Sequence, residues 1–149
     1  MNAAARRNKY TTPLEIGGVS IPPGERATVD IKVAPTFSHD DLSMSVHVAH
    51  GVRPGPTLFV CAAIHGDEIN GVEIIRRVVR SIRTDRMTGS LLAIPIVNVY
   101  GFNAHSRYLP DGRDLNRSFP GSHSGSLTGR LADTFMREIV SKSTHGIDL

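Results

Sequence analysis

The sequence predicts an α/β fold, a mixed and largely parallel sheet flanked by helices, and three observations carry that prediction. Residues 57–64, TLFVCAAI, form an unbroken apolar run between Pro56 and Gly66, the pattern of a strand buried on both faces. INGVEIIRRVVRSIR follows, with Val72, Ile75, Val79 and Ile82 recurring at spacings of three and four, which places them on one face of a helix. Residues 90–99, SLLAIPIVNV, are a second apolar run of strand length. Strand, helix and strand in succession make a sheet with helices packed on it.

In chain order, residues 1–12 read as a flexible tail and 13–149 as part of a single domain, within which 13–50 is a small β lead-in. Gly17-Gly18 and Pro22-Pro23-Gly24 are turn signals, and an alternating run covers 27–33. SMSVHVAH sets Met44, Val46 and Val48 against Ser45, His47 and Ala49, a half-buried strand that VRPGP then breaks. On the helix that follows, Arg76, Arg77, Arg80 and Arg83 mark a solvated face, with Glu73 one turn from Arg77. Pro95 argues for an edge position or an irregularity in the next strand. A long loop crowded with Gly, Ser, Pro, Asp and Arg comes next, and loops of that length are functional or disordered. Ser126 caps a last helix in which Leu127, Leu131, Phe135 and Ile139 repeat every fourth residue. Gly146 reads as a helix C-cap that opens a final strand.

Bulk properties narrow the function classes. The chain has 149 residues, 40% hydrophobic and 21% charged, enough for one domain with a real core. A formal net charge of +3 is no polybasic tract, and the reading is no nucleic acid and no membrane partner. The only cysteine, Cys61, lies in an apolar run and reads as a small buried hydrophobe, so no internal disulfide framework exists. No apolar segment follows the basic residues at the start, and the expected location is cytoplasmic.

Two constellations can carry chemistry. His65 stands at the carboxyl end of the buried strand and Glu68 where the helix begins, the edge of an open α/β sheet at which ligands gather. Imidazole and carboxylate are both zinc ligands, so His-x-x-Glu is a candidate half-site for that metal. The second is HSRYLPDGRDLNRSFPG, where Arg107, Arg113 and Arg117 accompany Asn116. Guanidinium groups bind carboxylates in bidentate fashion and stabilise a developing oxyanion. The competing reading is a solvated, turn-rich loop in which Asp111 and Asp114 pair with the arginines.

AIHGDEINGVEIIRR followed by a strand and then DGRDLNRSFPG resembles the succinylglutamate desuccinylase and aspartoacylase family, zinc amidohydrolases of the carboxypeptidase A-like superfamily. The likeness runs from about residue 44 to 149 and rests on two motifs in the right order and spacing. It implies a zinc carboxypeptidase-like catalytic domain, present here as its N-terminal part. It also implies roles. His65 and Glu68 match the first two zinc ligands, Arg107 the arginine that polarises the scissile carbonyl, and Asn116 with Arg117 the pair that grips the substrate carboxylate. Asp67 shares the first motif without a separate role. The implied cofactor is one zinc ion, and the implied activity is cleavage of the amide of a small N-acylated amino acid or related acylated amine.

The chain also departs from the pattern. The family's third zinc ligand is a histidine directly after a strand reading Asp-Leu, and this sequence stops at Asp148-Leu149. The general-base glutamate lies further on in family members. The expectation is therefore a truncated chain that holds zinc weakly or not at all and catalyses little. His105, His123 and His145 read as surface residues, and His39, His47 and His50 as surface or strand residues. Two alternatives stay open: a metallocarboxypeptidase acting on peptides, and a non-catalytic carboxylate-binding module. A sheet that stops at this strand leaves an unpaired edge, which predicts self-association.

Overall fold

The computed structural model describes residues 12–33 and 42–149. All but the last residue of the expected tail, and His39, lie outside them. β1 (Leu14–Ile16) and β2 (Val19–Ile21) form an antiparallel hairpin of their own. Gly17 and Gly18 make its turn with φ of 54° and 79°. A two-residue hairpin turn needs that left-handed backbone, and glycine adopts it without steric cost.

Five further strands build the main sheet: β3 (Arg26–Lys32), β4 (Ser43–His50), β5 (Arg53–Cys61), β6 (Thr88–Ile94) and β7 (His145–Asp148), in the order β3-β4-β6-β5-β7. β3 with β4 and β4 with β6 pair antiparallel, whereas β5 pairs parallel with both β6 and β7. The sheet is thus mixed, with its parallel half at the β7 side. β3 and β4 belong to this sheet, so of the expected β lead-in only the β1–β2 hairpin stands apart. β4 keeps the period-two pattern read from sequence through Val48, with Met44, Val46 and Val48 buried and Ser43, Ser45 and His47 half-exposed, but Ala49, expected on the open face, is buried in the cluster that Ile75 of the next helix joins. β6 is not an edge strand. It sits in the centre of the sheet, and Pro95 escapes the rule because the strand has already ended at Ile94.

Helices cover both faces. α1 (Asn70–Ser81) buries Ile75 with Ala62, Leu91 and Ala93, and Val79 and Ile82 pack beside them. Its outer face is solvated as the spacing predicts. Glu73 accepts from Arg76 and Arg77, and those hydrogen bonds hold its carboxyl down at about 2. α3 (Leu127–Glu138) starts at Ser126, whose Oγ accepts the Gly129 N–H at 3.2 Å. Leu131 and Phe135, with Ile139 just past the helix, enter the larger core beneath the opposite face, where they join Val46, Cys61 and Leu92. Each such buried side chain contributes about 1.5–3 kcal/mol by leaving water.

Gly146 is not a helix cap. α3 stops at Glu138, a short 3-10 turn spans Val140–Lys142, and Gly146 lies inside β7. Its glycine has another cause: a Cβ there would sit 2.2 Å from the Phe59 ring, which packs edge-on against Phe135. Among the described residues no helix is long and apolar enough to cross a membrane.

Candidate active site

The segment after β5 is pinned before it reaches His65. Ala62 N–H donates to Ile94 O at 3.1 Å, while the N–H groups of Val97 and Asn98 donate to Ala62 O and Ala63 O. Ala63 is held at φ 51°, a left-handed conformation that costs a non-glycine residue on the order of 1 kcal/mol and persists only where neighbours fix it. Gly66 lies against Gly101 of α2 (Val99–Asn103), where a Cβ would fall 1.9 Å from the Gly101 carbonyl carbon. Any side chain at 66 would push the turn, and His65 with it, off the sheet. Glu68 N–H then donates to His65 O at 3.1 Å and the chain turns into α1.

His65 is buried, and each ring nitrogen faces a different carboxylate. Nε2 is 3.0 Å from Asp114 Oδ1, and Nδ1 is 3.2 Å from Glu68 Oε1. If Asp114 accepts the Nε2 proton of a neutral ring, the Nδ1 lone pair confronts a carboxylate oxygen. Two acceptors at that distance repel unless a proton or a cation lies between them. Tetrahedral zinc bound at about 2.1 Å holds its donors about 3.4 Å apart, so this pair fits two corners of such a site. A carboxylate on the second nitrogen is the usual way to fix the tautomer and orientation of a ligating histidine.

Asp114 is the residue that sequence reasoning undervalued. It was readable only as a partner of loop arginines, yet its side chain is one-tenth exposed and ties the two constellations together. Oδ1 meets His65 and the Asn116 N–H; Oδ2 meets Arg107 Nε and Nη2, both at 3.3 Å. Burial alone would raise its carboxyl. The hydrogen bonds from His65 and the Asn116 amide, with the charges of His65 and Arg107, outweigh burial and hold it below the usual carboxylate range. Arg107 Nη1 also donates to Glu68 Oε1 at 3.2 Å. Arg107 therefore bridges a carboxylate of each motif.

The loop bearing these groups is folded. Leu109 and Leu115 are buried in the larger core, and a 3-10 turn covers Leu115–Arg117. Of the residues singled out from sequence, His65, Glu68 and Arg107 meet in one cluster. Arg117, largely exposed, stands at its rim with Nε 3.8 Å from Asp114 Oδ2, and Asn116 joins through its backbone N–H. His105 and His123 are exposed, the latter 3.8 Å from Asp133, and His145 begins β7 at the opposite end of the sheet. Among the described residues no group of three or more His, Cys, Asp or Glu side chains converges to hold a metal. Leu149 N–H donates to Cys61 O at 3.1 Å, so the carboxyl end of β7 emerges at the same sheet edge as His65. The Cys61 thiol is pushed far up by burial and by the neighbouring Asp148 charge, which fits an inert packed side chain.

The sequence of residues 54–149 matches the model of the Succinylglutamate desuccinylase/Aspartoacylase catalytic domain. The chain belongs to this family. Within the family it is 36% identical over 96 residues to the N-alpha-acetyl-L-2,4-diaminobutyric acid deacetylase of Halomonas elongata, a match covering 64% of this chain and 28% of that protein. A crystal structure of an aspartoacylase family protein from Mesorhizobium loti superposes with a TM-score of 0.75 at 31% identity, covering 85% of this chain and 40% of that one. The product-bound ectoine utilization protein EutE from Ruegeria pomeroyi gives 0.73 at 28% identity, covering 86% and 41%. The chain thus spans less than half the length of the family members it matches.

Proposed function

We propose that this chain carries part of the active site of a zinc-dependent deacylase that cleaves the amide of a small N-acylated amino acid in the cytoplasm. The observation that supports the reading is His65, whose two ring nitrogens each face a carboxylate, Asp114 at 3.0 Å and Glu68 at 3.2 Å. The family's relatives support the substrate class, since one is named for an N-acetylated diamino acid.

When bound by His65 Nδ1 and Glu68, zinc supplies Lewis acidity and lowers the pKa of a bound water. The chain's own residues do the rest. Asp114 keeps the Nε2 proton on His65 and so leaves Nδ1 as the donor atom. Arg107, between Glu68 and Asp114, offers guanidinium N–H groups to the oxygen on which charge develops. Arg117, exposed at the rim beside Asp114, can close on a substrate carboxylate, with the Asn116 side-chain amide giving direction to that grip.

A second part of the proposal concerns association. All four residues of β7 are exposed, and Ile147 and Leu149 are among the exposed large hydrophobic residues. Such an edge favours self-association. Sedimentation giving a clean monomer at high concentration would contradict it.

The test of the activity uses a chain extended past Leu149. Zinc-dependent release of free acid from N-acyl amino acids is the expected result. Release of a C-terminal residue from peptides would favour a carboxypeptidase, and a chain that binds carboxylates without zinc would favour a binding module.

A further inference from the structure

The two halves of the site are held in different ways, and the second half depends on one carboxylate outside the cluster. Asp111 sits at the tip of a tight turn that Leu109 and Arg113 close, with Gly112 N–H donating to Leu109 O at 2.9 Å and Leu109 N–H to Arg113 O at 3.2 Å. Its side chain reaches away from the site to the start of α3. Oδ2 accepts the Thr128 N–H at 3.0 Å, and Oδ1 accepts the Thr128 hydroxyl and, at 3.4 Å, the Arg113 N–H. Thr128 is completely buried, and it belongs to the helix that anchors Leu131 and Phe135 in the larger core. An anion at this position also meets the positive end of the α3 dipole.

We propose that Asp111 is a positioning residue for the site: it fixes the loop carrying Arg107, Asp114 and Arg117 to the N-terminal end of α3. Arg107 and Asp114 flank the turn, four residues before and three after Asp111; Arg107 reaches Glu68, 39 residues earlier, and Asp114 reaches His65, 49 residues earlier. The Arg107 end is tied toward α2, where Ser106 N–H donates to Gly101 O at 2.8 Å and Asn98 Nδ2 to Arg107 O at 3.4 Å, and Asp111 supplies a tie at the turn between Arg107 and Asp114. Leu109 and Leu115 hold the loop down by burial, which fixes depth but tolerates sliding. Two directional hydrogen bonds from Thr128 to a charged acceptor fix register on a helix that buries Leu131, Ala132 and Phe135, while the Arg113 N–H holds the same carboxylate within its own turn. Asp111 touches none of the reacting groups. Its effect passes through Asp114 to the His65 ring. The importance of that effect for catalysis rests on the deacylase reading; the anchor itself does not.

The experiment compares the wild-type chain with Asp111→Ala, Asp111→Asn, Thr128→Ser and Ile139→Val. Two quantities are read: amide hydrogen exchange over residues 112–118, and the NMR signal of the His65 Nε2–H. Asp111→Ala should speed that exchange about tenfold and abolish the imidazole N–H signal. Asp111→Asn keeps one acceptor oxygen and should fall between, which preserves the test if the alanine variant fails to fold. Thr128→Ser keeps both donors and should behave as wild type. Ile139→Val loosens the same helix at its far end, and should lower Tm while leaving both signals alone. If Asp111→Ala lowers Tm but changes neither signal, Asp111 only caps a helix and the proposal is wrong. Equal loop exchange in Asp111→Ala and Ile139→Val would overturn it too. A loop that responds as expected in a protein that never binds zinc or cleaves an acylated amine would contradict the deacylase reading and leave the anchor standing.

Discussion

His65 and Glu68 on one side meet Asp114 and Arg107 on the other at 3.0 and 3.2 Å, with Arg117 beside Asp114 at the rim, yet the chain delivers the two groups by opposite means. The first pair is three residues apart in a strand-to-helix turn fixed by backbone hydrogen bonds to the β6 exit and by Gly66 against Gly101. The second group lies on a loop with a single 3-10 turn, held by two buried leucines and by the contact of Asp111 with α3. The first half is local and stiff, and the second is assembled by tertiary structure. A substitution in the first should act on metal binding without changing the fold. One in the second should act on fold and site together.

In a chain extended past Leu149, His65→Ala should give the largest effect, a loss of zinc affinity beyond about a hundredfold with little change in Tm, because it removes a donor and leaves the turn intact. Isothermal titration with zinc and thermal melting measure the two sides. Leu115→Ala should destabilise the chain by about 2–5 kcal/mol in urea titration, since it opens a cavity where a completely buried leucine stood. A cost under 1 kcal/mol would mean that the loop is not held by its core contacts. Asp114→Asn should weaken zinc binding by about 10- to 100-fold, because the amide can no longer fix the His65 tautomer as a carboxylate does.

Acid should act through the second half. The Asp111 carboxyl lies below its ordinary range because its hydrogen bonds to Thr128 and Arg113 outweigh the opposing effect of burial. A depressed carboxyl binds its proton more readily in the unfolded chain. Its contribution is therefore complete above the unfolded value of about 4 and is lost as pH falls through the lower folded value. Tm should be flat from about pH 5 to 7 and fall below 4, and Asp111→Asn should make that fall shallower. Glu73→Gln should do least. Its carboxyl is held low by two arginines, but the whole cluster is on an exposed helix face, and no measurable change in urea midpoint is expected.

The same contrast explains what the sequence disclosed. β4, α1 and α3 follow from periodicity because their apolar spacing is set by which face they bury, and Ser126 announces the start of α3. His65 and Glu68 were legible because motif and secondary structure coincide. Asp114 was not, since nothing in DGRDLNR tells which of two aspartates turns toward a histidine 49 residues earlier. Pro95 marked the irregularity that ends β6 but not a sheet edge, and Gly146 was no helix cap, for one reason. Each was given the commonest role of its residue type, whereas the position of β6 in the sheet and the Phe59 ring under β7 are tertiary facts.

The central claim is that His65 offers Nδ1 to a metal while Asp114 retains the proton on Nε2. Nitrogen-15 spectra of the histidine rings during a zinc titration test it most directly. The account predicts that the His65 Nδ1 resonance moves, that Nε2 stays protonated, and that Glu68→Ala diminishes the change. Zinc that leaves the His65 ring untouched, or that shifts Nε2 instead, would contradict it.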